Sequence, residues 1–210
     1  TLTHLADYLD EFSRNLESNG VIVHWAKDAQ EFNEIAYSIL AEHNVKKMVK
    51  SKSMLTEECE MNKYLIAKGI DVVETDLGER ILQLMNLKPA HIVVPAAHIT
   101  RDEVGELFEK DGISKDIGNH DPTYLTQCAR YSLRQEFIEA DAGMTGCNFG
   151  VASTGDCVVC TNEGNADMST SIPKLHIVSM GIDKVIPNYD ALAVFQRLLA
   201  RSATGQLSVS

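Results

Sequence analysis

The chain has 210 residues, 44% hydrophobic and 23% charged, with 19 Lys and Arg against 30 Asp and Glu for a formal net charge of −11. That length is enough for one α/β domain with its own core, and the acidic balance argues against nucleic acid or an anionic membrane as the main partner. The longest apolar stretch, Ile92 to Ala97, falls far short of the roughly 20 residues of a spanning helix; no basic-then-apolar leader opens the chain, and five scattered cysteines suit a reducing, cytoplasmic setting.

Helical and strand patterns alternate along the sequence. Leu2, Leu5, Leu9, Phe12 and Leu16 step by three and four, the stripe of an amphipathic helix. Gly20 stops it, and Val21 to Trp25 reads as a strand. Asp28 caps a second helix with Phe32, Ile35, Ala36 and Ile39 on its inner face. Lys47 to Lys50 is a short strand, Thr56 to Lys68 a helix closed by Gly69, and Ile70 to Glu74 a strand. Leu77 to Met85 is helical, His91 to Ala96 an apolar strand left through Pro95, and Arg101 to Lys110 a charged helix. Residues from Gly112 to Pro122 form a polar loop before a long helix from Tyr124 to Ile138. The segment Gly143 to Thr161 then reads as two strands joined by a turn at Ser153 to Asp156. Lys174 to Met180 is a strand and Ala191 to Ala200 a final helix. The alternation predicts a mainly parallel sheet covered by helices on both faces, with a C-terminal hairpin. Residues 1–210 read as a single domain, with 1–19 a helical appendage.

Ligands of open α/β sheets bind beyond the carboxyl ends of the strands, which selects the segments that carry chemistry. Lys50-Ser51-Lys52-Ser53-Met54 follows a strand and precedes a helix. Its lysines, hydroxyls and helix-start amides form a receptor for a carboxylate or phosphate, or else the serines cap while the lysines stay solvated. In the segment Thr145 to Gly155, Gly150 and Gly155 have phosphate-loop spacing, but Asp156 stands where such a loop needs Lys. No dinucleotide fingerprint and no nucleophile elbow is present. Thr161 to Asp167 leaves a strand through polar turn chemistry that also offers Glu163 as a base. His98, just past a strand end, is placed for general acid or base work. Cys157 and Cys160, three apart on a strand, point to opposite faces and cannot share a metal. Cys59 and Cys128 read as small core residues on helices, and Cys147 stands alone.

A resemblance begins at Lys50 to Met54 and builds through five further motifs in order: Val73 to Glu79, His91 to Ala96, Gly143 to Phe149, Thr161 to Ala166, and Arg201 to Gln206. Together they resemble the LUD domain of the lactate-utilisation protein B family, the iron–sulfur subunits of bacterial L-lactate oxidation systems, over essentially the whole chain. The resemblance implies an α/β/α sandwich like that of the sugar-phosphate isomerase and CoA-transferase-like folds. It also implies a ferredoxin-like region beyond Ser210 that carries two [4Fe–4S] clusters, no cofactor within these residues, and two partners, a cysteine-rich subunit and a second LUD-domain subunit. A start at Thr1 rather than Met fits a piece of such a longer chain. The chain departs from the family pattern at Ser153, where an acidic residue is usual, and at Cys157 and Cys160, which replace apolar residues. These departures argue against a carboxylate-assisted role for that turn.

The leading expectation is a component of an L-lactate oxidation complex that holds a small carboxylic acid. Lys52 pairs with the carboxylate, and Ser51 and Ser53 add hydrogen bonds. Asn148, Thr154, Gly155 and Asn165 line the opposite wall with Glu163, and His98 or Glu163 takes a proton. Oxidation to a ketone needs an electron acceptor that these residues do not supply, so the chain alone is expected to be inactive. The alternatives are a docking or scaffold module with an exposed apolar patch, and a small-ligand-binding domain of the isomerase or CoA-transferase kind.

Overall fold

The computed structural model describes residues 2–87 and 96–205. Except for Ala96, the strand expected from His91 to Ala96 lies outside the described residues.

The first helix, α1 (Leu5–Ser18), is followed by α2 (Ala29–Glu42), whose N-cap Asp28 accepts a hydrogen bond from the Glu31 amide at 2.9 Å. Residues 21–25, expected as a strand, have no ladder partner among the described residues, and Ile22 is 80% exposed. The run is apolar, but no described strand takes up its backbone groups. The helix expected from Thr56 to Lys68 is broken into α3 (Met54–Glu58) and α4 (Met61–Ala67) by Glu60 at φ 49°. Helices α5 (Leu77–Met85), α6 (Arg101–Lys110) and α7 (Pro122–Glu139) fall where the periodicity placed them. Each starts on a side-chain cap: Asp76, Thr100 and Asp121 respectively.

Strands β1 (Lys47–Lys50), β2 (Asp71–Glu74), β3 (Ala142–Gly146) and β6 (Leu175–Ser179) form a parallel sheet in the order β2-β1-β3-β6. Alternation divides its side chains between two helical layers. Met48, Val72, Ala142 and Met144 pack with Ala36 and Leu40 of α2 and Met61 and Leu65 of α4. On the other face Val49 and Val73 meet Phe137 of α7. Helix α8 (Asn165–Ser171) lies so close over β3 that a Cβ on Gly143 would sit 1.8 Å from the Ser169 carbonyl oxygen, which is why only glycine fits there. The sequence offered this helix as a turn, because Asn-Glu-Gly-Asn is turn chemistry; Gly164 takes that turn at φ 72° and the helix begins directly after it. The result is an α/β/α sandwich.

The expected two strands between Gly143 and Thr161 are three. After β3 the chain forms β4 (Phe149–Val151) and β5 (Asp156–Val158), an antiparallel hairpin that β7 (Val185–Ile186) extends in parallel as a second sheet, β5-β4-β7. Helix α1 packs onto this second sheet through Phe12 and Leu16 against Ala152 and Val185, and Asn15 Nδ2 donates to the Ala152 carbonyl at 2.7 Å. The last helix, α9 (Tyr189–Thr204), covers Val151 and Ile186 through Leu192.

Candidate functional site

Because β1, β2, β3 and β6 run parallel, their carboxyl ends share one edge. Backbone and hydroxyl bonds tie the segments leaving that edge together. The Ser51 amide donates to the Met144 carbonyl at 2.9 Å, and Thr75 Oγ1 donates to the Lys50 carbonyl at 3.0 Å. Ser53 Oγ lies 3.2 Å from Ser179 Oγ, which in turn donates to the Thr145 carbonyl. Asn165 Nδ2 reaches Thr75 Oγ1 at 3.4 Å, which brings the start of α8 to the same edge.

Beneath these segments lies a buried charge cluster. Lys50 and Glu74, directly paired in the β1–β2 register, turn the same way as Met48 and Val72, so their long side chains run under α3 and α4. Lys50 Nζ sits 2.8 Å from Glu74 Oε1, with Lys50 1% and Glu74 5% exposed at the side chain. Asn62 Nδ2 donates to the same oxygen at 2.5 Å. Glu79, in the first turn of α5, is also buried, and its carboxyl lies near that of Glu57 on α3. Burial is the main reason that the Glu79 carboxyl is pushed up to about 9; the Glu57 contact and the nearby Glu74 charge add to it, and Lys50 opposes it.

That proton decides what Lys52 can do. Lys52 Nζ lies 3.9 Å from Glu79 Oε1 and is 25% exposed. At neutral pH it therefore faces a protonated acid rather than a full counter-charge, and its cation remains available at the mouth of the edge. Beside it Ser51 Oγ is buried with no hydrogen-bond partner among the described residues. Such a hydroxyl costs free energy until a ligand or water pairs with it. Glu163 approaches from the loop before α8 and accepts from the Leu77 amide at 3.2 Å, at the start of α5. Partial burial and the nearby Asp76 push its carboxyl upward, while the Leu77 amide and the Lys52 charge pull it down.

Ser51, Lys52, Ser53, Glu163 and Asn165 thus converge on the strand-end edge. Asn148 stands just after β3, where its Oδ1 accepts from the Cys160 amide at 2.7 Å and its own amide donates to Val158. Thr154 and Gly155 sit elsewhere, in the β4–β5 turn beneath α1. A Cβ on Gly155 would lie 2.7 Å from the Leu16 amide nitrogen, and the Thr154 carbonyl accepts from Asn19 Nδ2. His98 is exposed in the turn before α6. The sequence analysis missed Glu57, Glu74 and Glu79 and treated Lys50 as part of the anion receptor rather than as a buried ion pair. Period-two alternation across paired strands would have found Lys50 and Glu74; the Glu57–Glu79 contact depends on tertiary packing that no local spacing announces.

A profile of the LUD domain family matches residues 9–209. Among curated proteins the chain is 46% identical over 208 residues to lactate utilization protein B of Bacillus pumilus (strain SAFR-032). It is 44% identical to the protein of that name from Shouchella clausii (strain KSM-K16) and 45% to that from Macrococcus caseolyticus (strain JCSC5402), again over 208 residues. Each alignment covers 98% of this chain and 43% of the relative, so the chain spans less than half the length of the curated relatives it matches. No solved structure gives a significant match. The chain belongs to the LUD domain family.

Proposed function

We propose that this domain serves in lactate utilisation by holding a small 2-hydroxy or 2-oxo carboxylic acid at the strand-end edge. The observation that carries the proposal is the Lys52 cation, held 3.9 Å from a carboxyl that burial keeps protonated, beside the unpartnered Ser51 hydroxyl. Lys52 pairs with the substrate carboxylate, Ser51 and Ser53 donate to it, and Asn148 and Asn165 face it from the segments after β3 and before α8. Glu163, its carboxyl already raised, takes the hydroxyl proton. His98 enters only if the loop that carries it folds over the edge.

Loss of a hydroxyl proton and two electrons from the neighbouring carbon gives the ketone, and the electrons need an acceptor. Among the described residues no group of three or more His, Cys, Asp or Glu is placed to hold a metal. A [4Fe–4S] cluster takes four thiolates, and the described residues do not fit one. Two such clusters are therefore proposed for the part of the longer relatives outside the match, together with a cysteine-rich partner and a second LUD-domain partner. This assembly would work in the cytoplasm; no helix among the described residues is long and apolar enough to cross a membrane. The chain alone is expected to bind the acid without turning it over.

The test is thermal stability with lactate, pyruvate, phosphate, NAD, CoA or a quinone. A ligand at 100 times its Kd stabilises by about 2.7 kcal/mol. Stabilisation by lactate or pyruvate that Lys52→Ala abolishes supports the proposal; stabilisation by CoA or phosphate alone replaces it with the isomerase or CoA-transferase reading. A second reading, a docking module, is favoured by Val194, Phe195 and Leu198, which leave one side of α9 exposed to solvent. It predicts that none of these ligands shifts the melting curve.

A further inference from the structure

We propose that His120 is a proton-operated clasp: as an imidazolium it fastens residues 117–121, the approach to α7, onto α6, and it lets go on losing its proton. Three residues of α6 build its seat. Glu109 follows Asp102 by seven positions and Gly105 follows it by three, so all three share one face of the helix. His120 Nδ1 lies 3.1 Å from Asp102 Oδ1, and Nε2 lies 3.3 Å from Glu109 Oε1. Between the two carboxylates the ring rests on Gly105, where a Cβ would come 2.1 Å from His120 Cδ2. Glycine inside a helix costs conformational entropy, and here it makes the room that the ring needs. The side chain is 21% exposed, so the seat is shielded yet open to protons from solvent.

The contacts themselves call for the proton. A neutral imidazole has one N–H and one lone pair, and a carboxylate has lone pairs only. Neutral His120 can donate to Asp102 or to Glu109 but turns a lone pair on the other; the imidazolium donates to both. The hydrogen bond to Asp102 foremost, and that to Glu109 with it, raises the His120 pKa above its ordinary 6.5 against the opposing effect of desolvation. Glu109 Oε1 also accepts from the Gly118 amide at 2.6 Å. Among the described residues, the hydrogen bonds from residues 117–120 to α6 all end on Asp102 or Glu109. Of the neighbouring charges, Arg101 Nε reaches the same Asp102 oxygen at 3.8 Å and so opposes the His120 proton. Asp116 accepts from Asn119, Asp121 caps α7 through the Tyr124 amide, and the Tyr124 hydroxyl accepts from the Lys115 and Asp116 amides. Helices α5 and α7 meet α6 through Ile81, Leu125, Cys128 and Ala129. Because the folded value is raised, the clasp is complete below pH 6.5 and is lost as the pH climbs through that raised value. None of these residues belongs to the strand-end edge, so the clasp works whatever ligand binds there.

The experiment follows the His120 ring by NMR as the pH is raised. In parallel it times trypsin cleavage after Lys115, each rate divided by that of a free peptide spanning residues 111–121. His120 should titrate above 6.5, and the normalised cut should quicken by about tenfold over the same interval. Cleavage after Lys27, in the loop between α1 and α2, should not change. In His120→Gln the cut after Lys115 should already be fast at the acid end, and in Glu109→Gln the His120 titration should move down toward 6.5. A His120 that titrates at or below 6.5 overturns the proposal. So does a normalised cut after Lys115 that stays flat, or that rises only in step with the cut after Lys27. The wild-type chain decides the matter even if a variant fails to fold.

Discussion

The two sheets of this domain use similar sequence signals to opposite ends. At the edge of the four-stranded sheet, polar segments after β1, β2 and β3 meet over buried charges, with the Ser51 hydroxyl left without a partner among the described residues and Lys52 3.9 Å from Glu79. In the three-stranded sheet, an equally polar turn of Ser, Thr, Gly and Asp is tied to α1, with Gly155 buried against that helix while Ser153, Thr154 and Asp156 stay exposed. There the Asn15 side chain ties down the Ala152 carbonyl, and Thr154 bonds Asp156 within the turn. Glycine and hydroxyl residues after a strand therefore do not make a site by themselves. A site requires buried charge beneath them and an open approach above.

Breaking the buried charge at the first edge should have the largest effect. Lys50→Ala or Glu74→Ala leaves an uncompensated ion in the core and is expected to cost about 3–5 kcal/mol in urea unfolding. The double variant Lys50→Met, Glu74→Leu should recover most of that loss, because the cost lies in the orphaned charge. Next comes a pH effect that belongs to this edge alone. Glu79 binds its proton more tightly folded, at about 9, than at its ordinary 4.5. The folded state thus holds the extra proton in that interval, and its stabilising contribution is complete below pH 4.5 and lost as the pH rises toward 9. Glu79→Gln should flatten that decline in melting temperature between pH 6 and 9.

In the second sheet, Gly155→Ala meets the α1 backbone at a φ of 77° and should cost about 1–3 kcal/mol. It should leave any ligand response of the first edge intact, which sharpens the contrast between the two regions. The smallest effect is expected at a helix start remote from both: Asp28→Ala removes the α2 cap and should cost about 1 kcal/mol.

The alternating periodicities of the sequence disclosed the sandwich and most of its helices, because those periods record burial against a neighbouring layer. They misjudged residues 21–25, where apolar composition lacked a pairing strand among the described residues, and α8, where a turn-forming start concealed a helix. They also merged α3 and α4, since no local residue signals the left-handed backbone of Glu60. Of the candidate site, Lys52 and its serines were legible from the rule that ligands gather at strand ends. The approach of Glu79 to Glu57 and to Lys52 was not. It joins residues on different elements whose approach is set by packing, a quantity that a linear pattern does not contain.

The most direct measurement is a calorimetric titration of the chain with lactate and with pyruvate at pH 7 and at pH 10, in the wild type and in Lys52→Ala. The account predicts saturable heat at pH 7 that is weaker at pH 10, where an ionised Glu79 engages Lys52, and absent from the variant. Equal binding by wild type and variant, or no binding by the wild type at either pH, would contradict it.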